Sequence, residues 1–265
     1  MNKESLPFSD RPAENAPGHW VLARAGKKVL RPGGLGLTRQ LLRHCGLSGK
    51  DVVELAPGLG RTAREIVATG PRSYTGVDQD SRAAARVEQV VAGIKGTCRQ
   101  GDAAATGLDP DSADVVIGEA MLTMQSPRAK AEIVAEAVRV LRPGGIYAIH
   151  ELGLAPDDLD PEVGTEISRA LARAIHVNAR PLTLAQWRAL LEEHGLVVEW
   201  TEAAPMALLK MRRNLADEGP LGVLRMMWNL IRHPDLRRRV LSMRATFRTY
   251  EEQMRGVALV ARKPA

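Results

Sequence analysis

The chain of 265 residues has only two cysteines, Cys45 and Cys98. They stand far apart, with no Cys-x-x-Cys and no Cys/His spacing, so neither a disulfide framework nor a metal site is expected and both read as reduced core residues. Aromatic residues are scarce, at 3%. That argues against a surface that stacks single-stranded bases on rings. No apolar run reaches the about 18 residues of a membrane span. The opening MNKESLPFSDRPAENAPGHW is polar and proline-bearing rather than basic and then apolar, so a cytoplasmic protein is expected. The first fifteen or so residues read as disordered, and no internal repeat or low-complexity segment stands out.

What the chain does have is charge sorted by region. Residues 1–50 carry nine Lys/Arg against three acids, 51–205 fifteen against twenty-three, and 206–265 thirteen against five. Two basic arms thus flank an acidic middle. Such arms suit nucleic acid, an anionic membrane surface or an anionic substrate, or are simply solvated helix faces.

Apolar runs bounded by turn signals alternate with helical periodicity. DVVELA (51–56), SYTGVD (73–78), GTCRQGD (96–102), ADVVIGEA (113–120) and IYAIHELGL (146–154) read as strands. RTAREIVATG, SRAAARVEQVVAG and SPRAKAEIVAEAVRVL read as helices between them, the last with Ser126 as N-cap, Pro127 at the first helical position and RPGG as its stop. Strict alternation implies right-handed βαβ units and a parallel sheet covered on both faces. Farther on, TLAQWRALLEEHG carries a Thr183/Gln186 capping box, and LVVEW and GVALVARK read as two final strands. About fifty residues between those strands read as a helical insertion, in which Leu236, Val240, Met243, Phe247, Tyr250 and Met254 form one stripe of a single long helix.

The stretch ELAPGLGRTA holds the densest chemistry. Gly58-x-Gly60-x-x-Ala63 between a strand and a helix, with Asp78 ending the next strand, satisfies the loose dinucleotide fingerprint. An NAD-dependent oxidoreductase is therefore one reading. Glu54 within the first strand opposes it, because a carboxylate there suits an ammonium or sulfonium better than a pyrophosphate.

Four segments in order resemble the class I S-adenosylmethionine-dependent methyltransferases. VVELAPGLG is similar to the family's acid-x-Gly-x-Gly-x-Gly motif, with Ala56 at the first glycine. YTGVDQD, GDAAATGL and ADVVIGEAMLTM with AEAVRVLRPGGIYAIHEL resemble the motifs that follow, and together they cover about residues 50–152. The resemblance extends to the small-molecule type, near the quinone-biosynthesis group. It implies an α/β, Rossmann-like, doubly wound seven-stranded sheet, mostly parallel with a C-terminal antiparallel hairpin, and a helical insertion before the last strand. Residues 1–50 would form a helical cap, 51–205 and 255–265 the core, and 206–254 a lid. S-adenosyl-L-methionine would be bound by Glu54, Ala56, Gly58, Gly60, Asp78 at the ribose hydroxyls, Gln79, Asp102 at the adenine amino group, Ala103 beside the ring, and Glu119.

Ligands of open α/β sheets sit beyond the carboxyl ends of the strands, which makes Glu119, His150 and Glu151 the candidate catalytic groups, with His150 the candidate base. The insertion gathers Met206, Met211, Met226, Met227, Met243 and Met254, adaptable side chains that suit a bulky apolar acceptor or fill a joint between helices and sheet. Arg237, Arg238 and Arg239 there could meet anionic headgroups or an anionic substrate. The expected function is methyl transfer to a small, apolar or partly anionic molecule, without nucleic acid and with a homo-oligomer open. The rivals are an RNA methyltransferase, the oxidoreductase, and a non-catalytic protein of this fold that uses its helical insertion as an interface.

Overall fold

Strand β1 (Asp51–Leu55) packs Val52 on one side of the sheet and Val53 and Leu55 on the other. A run buried on both faces is what a central parallel strand requires. Its companions are β2 (Ser73–Asp78), β3 (Gly96–Gln100), β4 (Ala113–Glu119), β5 (Leu141–Leu154), β6 (Leu182–Thr183), β7 (Val197–Pro205) and β8 (Met254–Arg262). The computed structural model, which describes residues 16–27, 30–206 and 211–265, arranges them in the order β3-β2-β1-β4-β5-β8-β7. The side chains of residues 19, 211–214, 216 and 217 lie outside that description, as do the first fifteen residues. Pairing is parallel from β3 through β5, and β8 runs antiparallel to both β5 and β7. The seven-stranded, doubly wound α/β sheet with its C-terminal hairpin is therefore present. The two-residue β6 adds an eighth strand beside Gly153 and Leu154.

The helices are α1 (Gly18–Ala25), α2 (Gly34–Cys45), α3 (Arg61–Val67), α4 (Ser81–Val91), α5 (Pro127–Val140), α6 (Pro161–Ile175), α7 (Leu184–Glu192), α8 (Met211–Arg232) and α9 (Pro234–Thr249). Leu41, Ile66 and Val87 of α2, α3 and α4 close one face of the sheet, and Ile133, Val134 and Trp187 of α5 and α7 close the other. Local chemistry sets the ends: Ser126 accepts from the Ala129 N–H, and Thr183 and Gln186 form the reciprocal capping box. Helix α6 is absent from the periodicity reading above. Its approach, DDLDPEVG, has the composition of a turn, yet Asp160 caps the helix by accepting from the Glu162 N–H, and Ile167, Leu171 and Ala174 form its buried stripe.

A third core lies above the sheet, where Leu236, Val240, Met243 and Phe247 of α9 pack on α6 and on Val21, Leu22 and Ala25 of α1. The stripe is as expected, but the single long helix is not. It stops at Thr249, Tyr250 half-emerges to donate to Glu166, and Met254 opens β8 opposite Leu154. With those side chains buried in their own chain, the stripe is not an interface. Met206, Met226, Met243 and Met254 are buried and Met227 is exposed; the Met211 side chain lies outside the described residues.

The chain runs outward from β1 to β3 and resumes on β1's other side with β4. That reversal opens a crevice at the carboxyl ends of β1 and β4. The segment between α1 and α2 is held over it by Gly256 of β8. A Cβ at Gly256 would stand 2.1 Å from the Gly33 nitrogen, so only glycine lets Arg31, Pro32 and Gly33 approach the sheet.

Candidate active site

The crevice encloses a cavity of about 640 Å³, within the about 300–1,000 Å³ of small-molecule sites. One end is polar and is built by the turns after β1, β2 and β3, with Ala56, Gly58, Asp78, Gln79, Asp102 and Ala103 on its wall. The other is apolar and is built by Trp20, Leu22, Leu152, Leu171, Ile175, Met206, Met243 and Phe247. Glu119 and Ala120, at the end of β4, stand between them.

At the polar end Asp78 is 8% exposed and accepts from the Gly58 N–H at 2.9 Å and from the Asp80 N–H at 2.9 Å. Burial raises its carboxyl above the ordinary range against those two bonds. Asp102 is exposed to the cavity and accepts from the Ala104 N–H at 2.8 Å. Gly58 has φ 54°, and a Cβ there would meet only the Ala56 carbonyl oxygen, at 3.9 Å, which leaves the loop open on the cavity side. Gly60 does not line the cavity. Its φ of 67° caps α3, and its missing Cβ makes room for Val87 and Val90. On the cavity wall two residues without glycine's freedom share the left-handed region, Ala56 at φ 52° and Ala120 at φ 54°.

Glu119 is the hub of a buried polar network. Its Oε1 accepts from the Thr38 hydroxyl at 2.6 Å and from His150 Nδ1 at 2.8 Å, and its Oε2 pairs with Arg31 Nε at 2.9 Å and accepts from the Thr62 hydroxyl. His150 Nε2 accepts from the Gly33 N–H at 3.2 Å, so the imidazole carries its hydrogen on Nδ1 and donates it to Glu119. Burial pushes the Glu119 carboxyl upward, but the Arg31 charge and the bonds from His150 and Thr38 outweigh it, and the pKa falls to about 2. Glu119 is therefore an ionised carboxylate and no proton acceptor at neutral pH. Arg31 and Arg61 also line the cavity, and Arg31 Nη1 and Arg61 Nε are buried without a hydrogen-bond partner.

The other candidates are placed elsewhere. His150 is fully buried behind Glu119, with both ring nitrogens engaged, and no histidine among the described residues lines the cavity. Glu151 is also fully buried: Oε1 accepts from the Met121 and Leu122 N–H groups, and Oε2 from the Thr123 N–H and hydroxyl. It clamps the turn after β4, whose Ala120, Met121, Thr123 and Met124 reach the cavity. Glu54 lies beneath the glycine loop and accepts from the Tyr74 hydroxyl at 2.7 Å. Burial raises its pKa to about 8, with the nearby Glu119 charge adding to the effect. The negative charge expected from Glu54 thus sits on Glu119, two carboxyls whose surroundings push their pKa values apart. Arg31, Arg61 and Ala120 line the cavity and Thr38 and Thr62 hold Glu119, none of which the sequence singled out.

Residues 52–145 match the family model described as a methyltransferase domain. Over these residues the chain carries a class I S-adenosylmethionine-dependent methyltransferase domain. This methyltransferase is 32% identical, over 95% of its length and 100% of the relative's, to an uncharacterized protein of Haemophilus influenzae. In fold it is similar to phosphoethanolamine N-methyltransferase 2 of Haemonchus contortus in complex with phosphomonomethylethanolamine and S-adenosylhomocysteine, with a TM-score of 0.69, 17% identity, and 94% of this chain and 58% of that chain covered. It is also similar to geranyl diphosphate methyltransferase in complex with S-adenosylmethionine, with a TM-score of 0.63, 15% identity, and 86% and 84% covered.

The polar end fits that cofactor on its own chemistry. Carboxylates at Asp78 and Asp102 can accept from hydroxyl and amino groups, the open side of Gly58 admits a ligand against backbone, and the cavity-lining Arg31 and Arg61 can donate to an anion such as an amino-acid carboxylate. Ala56 pays for its methyl with a left-handed backbone, an expense of about 1–2 kcal/mol relative to glycine. Ala56→Gly is expected to stabilise the methyltransferase by about 0.5–1 kcal/mol once the extra freedom of unfolded glycine is subtracted. Urea denaturation checks this, and a loss of stability would mean that the methyl's contacts outweigh the strain.

Glu54 gives a pH signature. Its folded pKa, about 8, lies above the usual carboxylate value, so the folded state holds a proton that the unfolded state has released in the window between them. Its contribution to stability is whole below the unfolded pKa and is lost as pH rises toward the folded one, with a slope of at most about 1.4 kcal/mol per pH unit. Denaturation of the wild type between pH 5 and pH 8, at about unit steps, should show this decline, and Glu54→Gln should flatten it.

Proposed function

We propose that the methyltransferase acts on a small molecule that is apolar along most of its length and polar or anionic near the reacting atom. The carrying observation is the continuity of the cavity, from the turns after β1, β2 and β3, past Glu119 and Ala120, into the apolar chamber of Leu152, Leu171, Ile175, Met206, Met243 and Phe247. Quinone and lipid precursors have that character. So does the acceptor named for its structural relative geranyl diphosphate methyltransferase, an apolar chain with an anionic head.

In this reading Asp78 and Gln79 hold the ribose, Asp102 and Ala103 the adenine, Ala56 and Gly58 the loop side, and Arg31 or Arg61 the methionyl carboxylate. Bound there, S-adenosylmethionine supplies a methyl on a sulfonium that is open to in-line displacement. The protein's part is placement. Glu119 presents a fixed negative charge to a cationic ligand, and His150 is a positioning residue that orients it. Glu151 holds the turn after β4 in shape, and the apolar chamber excludes water. An acceptor proton leaves through the substrate's own acidity or through water, because His150 does not reach the cavity. The described residues of 16–50 serve as the cap and those of 206–254 as the lid of a cytoplasmic enzyme.

The experiment is transfer of labelled methyl from S-adenosylmethionine to a panel of prenylated phenols, allylic diphosphates, fatty acids and bulk RNA. Transfer to the apolar members with none to RNA is expected. Transfer to RNA alone overturns the reading.

A further inference from the structure

Helix α8 breaks at Gly219, whose φ 72° and ψ 173° are not helical, and resumes at Pro220. The second segment, PLGVLRMMWNLIR, contains no acid. Its inner side is fixed: Met226 is buried, and Asn229 Nδ2 donates to the Ala25 carbonyl of α1 at 3.1 Å. Its outer side is apolar. Leu221 is 81% exposed, Leu224 64%, Trp228 54% and Ile231 64%, with Met227 beside them at 48%. The spacing 221, 224, 228, 231 puts these side chains on one stripe of a 3.6-residue helix, the kind of contiguous apolar surface that marks an interaction site. Arg225 and Arg232 are exposed along its edge, with the Arg232 guanidinium 4.6 Å over the Trp228 ring. Helix α9, which follows directly, also exposes Arg237, Arg238 and Leu241. Arg239 of the same run instead turns inward, donating to the Ala174 carbonyl.

We propose that this face docks the protein on an anionic lipid surface. A bilayer accepts Leu221, Leu224, Trp228 and Ile231 at its acyl boundary while the arginines stay at phosphate level and the indole sits in the interface. Charge selects this occupant over a second copy. A symmetric pair would bring two arginine rims together, and residues 206–255 hold eleven Lys/Arg against five acids. Among the described residues no helix is long and apolar enough to cross a membrane, so the contact is peripheral. Docking brings α1, which supplies Trp20 and Leu22 to the apolar chamber, close to the bilayer. The proposal stands whichever acceptor the chamber takes.

The test is sedimentation of the full chain with vesicles of phosphatidylcholine alone and of phosphatidylcholine with phosphatidylglycerol, at low and high salt. The mass in solution and S-adenosylhomocysteine binding are measured alongside. Binding about tenfold tighter to the anionic vesicles, weakened by salt, is expected. L221S/L224S should lose about tenfold in vesicle affinity, and R225Q/R232Q should lose the preference for anionic lipid, both with S-adenosylhomocysteine binding intact. No vesicle binding at low salt overturns the proposal. So does equal binding by L221S/L224S, and so does a fall in solution mass in that variant without any vesicle binding, which would assign the face to a second copy.

Discussion

Glu119→Ala is expected to destabilise the protein by about 3–5 kcal/mol, the scale of a buried ion pair that has lost one partner. Arg31 would keep its charge in a mostly buried place while its 2.9 Å counterion disappears. The Thr38 and Thr62 hydroxyls and the His150 Nδ1 hydrogen would lose their acceptor in the same step. The pH dependence gives an independent reading of the same network. A folded pKa of about 2 is below the usual carboxylate value, so the stabilisation is present above the unfolded pKa and disappears as pH falls through the folded one. Acid denaturation of the wild type should include that loss, and Glu119→Ala should lack it. A double change of Arg31 and Glu119 to leucines should recover much of the cost, because it removes both charges together. A single-variant cost below about 1 kcal/mol would show that water entering the cavity solvates Arg31 as well as Glu119 does.

This network also marks the limit of what the sequence shows. Most of the sheet was legible because β1, β4, β5 and β8 hold apolar runs between turn signals, and α5 and α7 because Ser126, Pro127 and the Thr183/Gln186 box announce their starts; the two-residue β6 is too short to carry a signal. The positions of Asp78 and Asp102 on the cavity wall were legible because both stand at or just past strand ends in a fixed order of motifs. Arg31, Thr38 and Thr62 were not, since they reach Glu119 from α2, α3 and the segment before them, far apart in sequence, and a lone threonine in a helix carries no signal of its partner. Arg31 does stand in an Arg-Pro-Gly-Gly tetrapeptide that recurs at 142–145. The second copy's arginine pairs with Asp51 and Asp114 at the other end of the sheet, where the tetrapeptide forms the irregularity of β5 between Leu141 and Ile146, so the repeat does not mark a site. His150 and Glu151 show the opposite error. Position at the end of a strand is readable, but side-chain direction depends on what packs above it. There, Gly33 seated against Gly256 covers His150, and the turn after β4 folds its own N–H groups onto Glu151.

Asp78→Ala should weaken S-adenosylhomocysteine binding by about a hundredfold, the equivalent of roughly 3 kcal/mol and of two hydrogen bonds to a charged acceptor. Two effects contribute to that figure. The carboxylate faces the cavity where ribose hydroxyls would donate, and it also ties down the Gly58 and Asp80 N–H groups, so its removal loosens the loop that the ligand rests on. Asp78→Asn separates the two. An amide keeps one oxygen for Gly58 but presents an N–H₂ where an acceptor is needed. If recognition of the hydroxyls dominates, the asparagine variant binds about as poorly as the alanine one. If the loop latch dominates, it recovers about tenfold. Because burial raises the Asp78 pKa, wild-type affinity should also fall on acidification, and Asp78→Asn should not share that fall. Titration calorimetry of the three proteins across pH resolves these cases. Wild-type affinity in Asp78→Ala would move recognition of the cofactor to Gln79 and Asp102 and leave Asp78 as a latch for the glycine loop.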